Sequence, residues 1–144
     1  MTIYLATDHA GFELKEKIKA WLSENGYDVE DFGAYSLDAD DDYPDFVSKA
    51  AEAVSQHPDH RAIVLGGSGQ GEAMVANRYP GVRAAVFYGG SDDIILLSRS
   101  HNNANILSLG ARFVAGDEAL RVVKLWLATP FSDEERHERR IDKF

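Results

Sequence analysis

AIVLGGSGQGEAMVAN, residues 62–77, runs from an apolar segment through a glycine-rich turn into a helical pattern. The apolar segment predicts a buried strand, and the glycines at 66, 67, 69 and 71 predict a tight strand-to-helix turn. Backbone N–H groups of such a turn can close on a small anionic group, and the positive end of the following helix assists them. The stretch therefore predicts a unit of strand, turn and helix that can bind an anion.

Two side chains give this turn a chemical character. Ser68 places a hydroxyl inside it, and Glu72 places a carboxylate at its mouth. An oxyanion-binding turn beside a carboxylate is what proton abstraction next to a carbonyl requires. The turn lacks the Gly-Lys-Ser/Thr ending of a P-loop and is one residue too tight for G-x-G-x-x-G. A simpler interpretation stays open, in which the turn only caps a helix and Glu72 complements the helix dipole.

Strand and helix patterns alternate along the whole chain. Apolar runs predict five strands, near residues 2–7, 27–32, 61–65, 83–88 and 104–109. Helical spacing predicts helices near 11–25, from Pro44 onward, and near 71–79, 91–100, 117–127 and 133–143. This alternation predicts an α/β fold, a three-layer α/β/α sandwich around a Rossmann-like five-stranded parallel sheet. We expect residues 1–144 to form a single domain, because the chain contains no linker or internal repeat.

The composition excludes several classes of protein. With 144 residues, 44% hydrophobic and 27% charged, the chain resembles an ordinary globular domain. No apolar run approaches the roughly 20 residues of a membrane span, and the N-terminus lacks a secretory signal. A net charge of -9 argues against nucleic-acid binding, so any phosphate site must be a local basic island. The absence of cysteine excludes disulfides and a cysteine nucleophile, and it fits a cytoplasmic protein.

Polar residues collect where the predicted strands end, which is where parallel sheets bind their ligands. Asp8-His9 follows the first strand, residues 66–72 follow the third, and Gly110-Ala111-Arg112 follows the fifth. Asp8 and His9 also begin a helix, where an anion is favoured. The simpler alternative is that Asp8 is an N-cap and His9 an exposed first-turn residue.

Two more polar clusters lie later in the chain. His101-Asn102-Asn103 separates a helix from a strand, and His101 could exchange protons near neutral pH. Arg136 and Arg140 are four residues apart, so they share one helix face and could grip one phosphate. The alternatives are a polar turn for the first cluster and a solvated helix face for the second.

Other attractive groups are interpreted as structural. The aspartates of residues 38–42 begin like a calcium loop, but the sixth and twelfth positions lack the required Gly and Glu, so we expect an acidic surface loop. His57 and His60 lack the further ligands of a zinc site. Trp21 and Trp126 lie on apolar helical stripes and are expected in the core.

Taken together, these clusters resemble one family nearly end to end. The chain is similar to the type B ribose-5-phosphate isomerases and their relatives that act on allose and galactose 6-phosphates. The matching strings are Asp8-His9-Ala10-Gly11, Asp42-Tyr43-Pro44, Gly67 to Glu72, Ala76-Asn77-Arg78, Pro80 to Ala84, His101 to Ala104, Leu109 to Arg112 and Arg136 to Arg140.

The resemblance implies an aldose–ketose isomerisation through a cis-enediolate, with neither a metal nor a cofactor. One branch of the family uses a cysteine base at the position of Gly66, and the other a glutamate at the position of Glu72. Glu72 would then carry a proton from C2 of the aldose to C1. Ser68 and the backbone N–H groups of residues 67–71 would stabilise the enediolate oxygen, and His101 would open the furanose ring.

The resemblance also implies how the substrate is bound and how subunits associate. The family forms dimers or pairs of dimers, in which the loop of His101 and Asn102 comes from the neighbouring subunit. The polar C-terminal helix near 133–143 would complete the site. The residues expected to bind substrate are Asp8, His9, Tyr43, Gly67, Gly69, Gln70, Gly71, Asn102, Arg112, Arg136 and Arg140.

Three functions stay open at the level of sequence. The favoured one is interconversion of ribose 5-phosphate and ribulose 5-phosphate, a reaction of pentose phosphate metabolism. The second keeps the chemistry with a hexose 6-phosphate, such as allose or galactose 6-phosphate. The third is a catalytically silent module that only binds sugar phosphates, which would not need Glu72, Ser68 and His101 together.

Overall fold

The computed structural model describes all residues, 1–144, and contains one five-stranded sheet. The strand order is β2-β1-β3-β5-β4, and every pair of neighbouring strands is parallel. The strands are β1 (Thr2–Thr7), β2 (Asp28–Asp31), β3 (Arg61–Gly66), β4 (Ala84–Phe87) and β5 (Ile106–Gly110). The helices are α1 (Phe12–Glu24), α2 (Pro44–Gln56), α3 (Gln70–Ala76), α4 (Asp92–Ser100), α5 (Gly116–Ala128) and α6 (Glu135–Ile141).

Helices cover both faces of the sheet, which confirms the predicted three-layer sandwich. Alternate residues of β1 point to opposite faces, so Ile3 and Leu5 join one core and Tyr4 and Ala6 the other. The first core packs the sheet against α1, α4 and α5 and includes the fully buried Trp126. The second packs it against α2 and α3. None of the helices combines the length and apolar character that crossing a bilayer requires.

The strand order creates a ligand-binding crevice at a definite place. The chain moves outward from β1 to β2, then returns to place β3 on the other side of β1. At such a switch point, the loops after the two strands diverge to opposite faces and leave a cleft between them. A short 3-10 turn, His9–Gly11, follows β1, and the glycine-rich turn follows β3. The fold therefore places both predicted clusters at one edge of the sheet.

Side-chain hydrogen bonds explain where the elements depart from the predicted bounds. Helix α3 stops at Ala76, three residues early, because Asn77 turns to bond both the N–H and the carbonyl of Ala84. Strand β5 starts at Ile106, because the Asn105 side chain accepts from the Arg83 N–H and donates to the Gly81 carbonyl. Both asparagine side chains thus bond the main chain of the segment that leads into β4.

A buried ion pair fixes the segment after β2. The Lys15 side chain is fully buried, and its ammonium donates to Asp31 at 2.7 and 2.8 Å and to the Ala34 carbonyl at 2.7 Å. Lys19 reaches the same carboxylate at 2.7 Å. These bonds hold the start of the loop that leads to Tyr43 at the cleft.

Candidate active site

An open cleft of about 610 Å³ lies at the carboxyl ends of β1 and β3. Its walls come from the turns after β1, β3 and β5 and from the start of α2. The residues that line it are Asp8, His9, Ala10, Tyr43, Gly67, Ser68, Gly71, Glu72, Arg112 and Phe113. Most of the residues predicted on the first, third and fifth strand ends thus meet in one place, and Ala10 and Phe113 join them.

Glu72 is the buried acid of this cleft, with 3% of its surface exposed. Its carboxylate lies directly against the Cα of Gly66, where a Cβ on residue 66 would overlap Oε1. Only glycine at position 66 leaves this space free. A side chain at position 66 and the observed place of the Glu72 carboxylate therefore exclude each other.

Burial raises the pKa of the Glu72 carboxyl above its ordinary value. The N–H groups of Glu72 and Gly69 act in the opposite direction, and the nearby charge of Asp8 adds to the rise. The sequence left open whether the helix end or burial would dominate, and burial does. A carboxylate with a raised pKa is a stronger base, as proton abstraction from carbon demands.

The glycine-rich turn is held rigidly beneath the cleft. Gly69 has a φ of 77°, a left-handed conformation that a residue with a side chain rarely adopts. Its carbonyl accepts a 2.6 Å bond from the buried Ser108 hydroxyl. The carbonyl of Gly66 accepts from the Ala111 N–H at 2.8 Å, which ties this turn to the one after β5. The turn is thus a preorganised surface of backbone around Ser68.

Two side chains cover the turn where glycine leaves room. The Tyr43 phenol lies against Gly71, so that a Cβ there would overlap it. The Arg112 guanidinium packs over Gly67, with Nη1 3.3 Å from where a Cβ would lie. Because Gly67 and Gly71 have no side chains, Arg112 and Tyr43 can lie close to the backbone on either side of Ser68 and line the cleft with it. Gln70, also predicted here, is exposed and does not line the cleft.

His9 is oriented by Asp41, which belongs to the predicted acidic surface loop. Asp41 Oδ1 accepts from the His9 backbone N–H at 2.9 Å and lies 2.8 Å from His9 Nδ1. The Asp41 side chain is only 10% exposed, and its Oδ2 is buried without a hydrogen bond. This contact is the main cause that raises the pKa of His9, with Asp8 adding to it and Arg112 opposing it. The prediction of a purely acidic surface loop is therefore wrong at Asp41.

Asp8 has a clear structural role in addition to its place in the cleft. Its Oδ1 accepts from the Ala10 N–H at 2.9 Å, as the N-cap interpretation predicted. Asp8, His9 and Asp41 are also the residues best able to hold a cation, since one ligand atom of each lies within 4.8 Å of the others. In the observed arrangement, the ring nitrogen of His9 that faces Asp41 is already engaged by it.

The second half of the predicted site lies elsewhere on the same chain. His101 stacks on His137 with ring centroids 4.1 Å apart, and Arg136 pairs with Glu134 at 2.8 Å. Asn102 lines a separate groove beside β4. None of these residues, nor Arg140, lines the cleft of Glu72. The C-terminal helix α6 therefore does not complete the cleft of its own chain.

Sequence reasoning missed His137 as well as Asp41. His137 is 3% exposed, its Nε2 is buried without a hydrogen bond, and burial lowers its pKa. In the sequence His137 stands within the basic run of residues 136–140. Its burial depends on how α6 packs against the loop of His101, which the spacing alone does not show.

A parallel α/β domain with a cleft at its switch point belongs to the class of α/β proteins that bind ligands at the carboxyl ends of their strands. Residues 3–144 match the family described as Ribose/Galactose Isomerase. The chain is a member of this family.

Individual relatives agree with this assignment over nearly the whole chain. A ribose-5-phosphate isomerase B of Mycolicibacterium paratuberculosis is 48% identical over 142 residues, covering 99% of this chain and 88% of the relative. The ribose-5-phosphate isomerase B of Escherichia coli is 36% identical and covers 97% and 91%. A crystal structure of the Mycoplasma genitalium enzyme with bound ribulose-5-phosphate superposes with a TM-score of 0.93 at 40% identity, covering 99% and 92%.

We predict that Gly66→Ala destabilises the protein through Glu72. The added methyl group forces the carboxylate out of its buried position, and overpacking of this kind costs about 1–3 kcal/mol of unfolding free energy. In a Glu72→Ala background the space is free, so the same substitution should have a much smaller effect. Urea denaturation of the four proteins measures this coupling.

Gly116→Ala is the matched control, because a Cβ there has no neighbour closer than 3.6 Å. It should change the unfolding free energy by no more than about 0.5 kcal/mol. An equal loss for Gly66→Ala with and without Glu72 would contradict the packing argument.

Proposed function

We propose that this protein interconverts ribose 5-phosphate and ribulose 5-phosphate. The observation that carries the proposal is the buried Glu72 carboxylate, with its raised pKa, beside a rigid turn of backbone N–H groups. The relatives named ribose-5-phosphate isomerase B support the substrate class. The structure bound to ribulose-5-phosphate belongs to one of them and supports the same choice.

Glu72 acts as the base that moves the proton. It takes a proton from C2 of the open-chain aldose, and the electrons of that bond form the C1–C2 double bond of the enediolate. The carbonyl oxygen on C1 gains negative charge, which Ser68 and the backbone N–H groups of residues 67–71 stabilise. The O2 hydroxyl proton moves to O1 of the cis-enediolate, and return of the carbon-bound proton from Glu72 to C1, with formation of the carbonyl at C2, gives the ketose.

One side of the cleft carries positive charge that can attract the negatively charged phosphate group of the sugar. Arg112 and His9 bring positive charge, and Asp41 keeps His9 protonated to higher pH than an ordinary imidazole. Asp8 can accept a hydrogen bond from a sugar hydroxyl, and Tyr43 forms an aromatic wall. These groups are opposed by the carboxylates of Asp8 and Glu72, so a single chain holds a dianion weakly.

The rest of the positive charge comes from a second copy of the chain. His101, Asn102, Arg136 and Arg140 lie outside the cleft of their own chain. The family resemblance nevertheless implies that they serve ring opening and phosphate binding. We infer a homodimer, or a pair of such dimers, in which each site combines Glu72 of one chain with His101 of the partner subunit. The cytoplasmic location expected from the cysteine-free composition stays a prediction.

The two alternatives differ in what they need from this site. A hexose 6-phosphate isomerase would use the same groups with a longer substrate, and the open cleft of about 610 Å³ does not by itself reject the extra carbon. A module that only binds sugar phosphates has no use for a buried carboxylate that opposes an anion. The burial of Glu72 therefore favours an enzyme over a binding module.

The first test follows the reaction in D2O by proton NMR, after chelator treatment, with Glu72→Gln as the variant. Wild-type protein should form ribulose 5-phosphate and incorporate deuterium at the exchanging carbon. Glu72→Gln should still bind the sugar phosphate but lose about a thousandfold or more in kcat, because the amide cannot accept the proton.

Near-normal turnover by Glu72→Gln would remove Glu72 from the role of base. Turnover of allose 6-phosphate in place of ribose 5-phosphate would move the proposal to the hexose substrate. Binding of both sugars without turnover by wild-type protein would support the binding module.

Mixing two inactive variants tests the shared site. Glu72→Gln and His101→Asn each disable every site of their own homodimer. In a mixed dimer one site carries both defects and the other carries none, so random exchange should restore about a quarter of wild-type activity. No recovery after denaturation and joint refolding, with mixed dimers verified by mass, would place Glu72 and His101 in the same chain's site.

A further variant tests the orientation of His9 by Asp41. We predict that Asp41→Asn raises KM for ribose 5-phosphate by about tenfold with little change in kcat, since a charge-assisted contact to the phosphate is weakened. The raised pKa of His9 means that binding is strongest at low pH and is lost as pH rises through that pKa. In Asp41→Asn this loss should begin at lower pH.

Asp40→Asn is the control, because Asp40 is exposed and makes no side-chain contact with His9. It should leave KM and its pH profile unchanged. Equal effects of the two variants would indicate a general charge effect of the acidic loop and would contradict a specific role for Asp41.

A further inference from the structure

A second charged cavity lies at the amino-terminal ends of the strands, on the side of the sheet opposite to the cleft of Glu72. It has a volume of about 220 Å³ and is lined by Arg61, Arg83, Arg99, His60, Asn103 and Asn105, together with Asp59 and the N-terminal Met1. Arg61 is the first residue of β3, Arg83 directly precedes β4, and Arg99 is in the last turn of α4. The cavity therefore sits at the amino ends of the strands, away from the candidate active site.

The arginines of this cavity make contacts with neutral oxygens only. Arg61 Nη1 donates to the Leu127 carbonyl at 3.1 Å. Arg99 donates to the carbonyls of Ala104 and Thr129 and to the Asn103 amide oxygen, at 2.6 to 3.2 Å. Arg83 donates from Nε and Nη1 to the carbonyls of Asn103 and Gly81, at 3.0 and 2.9 Å.

No carboxylate lies within ion-pair distance of any of the three guanidinium groups. This is unusual in a chain with 24 acidic residues and 15 basic ones. Elsewhere in the chain, basic side chains form ion pairs with acidic ones. Lys15 pairs with Asp31, and Arg121 pairs with Asp92. The Nη2 group of each cavity arginine makes no hydrogen bond with the protein.

The partial negative charges that the protein places near the three arginines are too small to balance three positive charges. Arg61 and Arg99 cap carbonyls at the end of α5, and they flank the Trp126 ring at 5.4 and 5.8 Å. A helix end supplies only about half a negative charge, and a ring face less. Burial, followed by repulsion from Arg61 and Arg83, lowers the pKa of Arg99 to about 10. Positive charge is thus concentrated here, and Asp59, the one carboxylate in the cavity lining, makes no ion pair with any of the three arginines.

We propose that this cavity binds a small oxyanion, either inorganic phosphate or the phosphate head group of a small metabolite. Unused N–H groups on three planar guanidiniums match the oxygens of a phosphate, which arginine binds in bidentate fashion. The amides of Asn103 and Asn105 line the same cavity with further polar atoms. Its volume is below that of typical cofactor sites, so a small ion fits and a nucleotide does not.

The test must separate this cavity from the cleft of Glu72, where phosphate also has a proposed site. Titration calorimetry with inorganic phosphate is therefore run in an Arg112→Gln background, which weakens the cleft. Adding Arg83→Gln should weaken the remaining phosphate binding at least about tenfold, as loss of a charge-assisted bidentate contact implies. Arg83 is half-buried, and Arg61→Gln serves as a second variant if that protein does not fold.

Arg121→Gln in the same background is the matched control, since Arg121 is an exposed arginine that pairs with Asp92. It should leave phosphate affinity unchanged. Parallel titration with glycerol 3-phosphate distinguishes the source, because stronger binding than phosphate indicates a metabolite head group and equal binding indicates the free ion.

Two results would overturn the proposal. The first is a phosphate affinity that does not differ between the Arg83→Gln and Arg121→Gln proteins, or no binding in the Arg112→Gln background. The second is unchanged phosphate binding combined with loss of the dimer in Arg83→Gln, measured by analytical ultracentrifugation. That outcome would show that a carboxylate of a second copy fills the cavity.

Discussion

The missing side chain at Gly66 is the constraint on which the candidate site depends. It opens the space that the Glu72 carboxylate fills, and the same carboxylate is buried because β3 and the turn after it close around it. Burial then raises its pKa. The family resemblance places a cysteine base at this same position in another branch. In this chain the packing is consistent with only one of the two, since a side chain at position 66 would occupy the place of the Glu72 carboxylate.

Charge distribution explains why half of the expected site is absent from each chain's cleft. The turns after β1 and β3 carry the carboxylates of Asp8 and Glu72, and the loop before α2 adds Asp41 beside His9. Such a concentration of negative charge opposes binding of a phosphate dianion. Arg112 and His9 offset this only in part. The arginines of α6 lie outside the cleft and do not lower the pKa of the Glu72 carboxyl. Bringing them in from a partner subunit would couple phosphate binding to assembly of the site.

The sequence was sufficient for the fold because β1, β3, β4 and β5 each contain an apolar run and alternate with segments of helical spacing. It also located the cleft, because strand ends of a parallel sheet meet at one edge and the order of elements decides which ends are polar. It could not identify Asp41, whose burial depends on how a loop between β2 and α2 folds over His9. It could not give the sign of the Glu72 pKa shift either, because helix end and burial compete and only packing decides.

Buried charge without full compensation lies near both ends of strand β3. It is negative at the carboxyl end, where Glu72 lies, and positive at the amino end, where the three arginines meet. At its carboxyl end, the folded protein raises the pKa of Glu72, so this group favours the folded state most at low pH. That contribution is lost as pH rises through the folded-state pKa, and at neutral pH the buried carboxylate opposes folding. At its amino end, Arg61 meets Arg99 and Arg83 with too little negative charge nearby. In the proposed mechanism the buried charge of Glu72 has a chemical use, because transfer of a proton from substrate neutralises it at each turnover. An unrelieved cluster of cations at the other end has no such use, and binding of an anion is the simplest way in which the fold could gain from it.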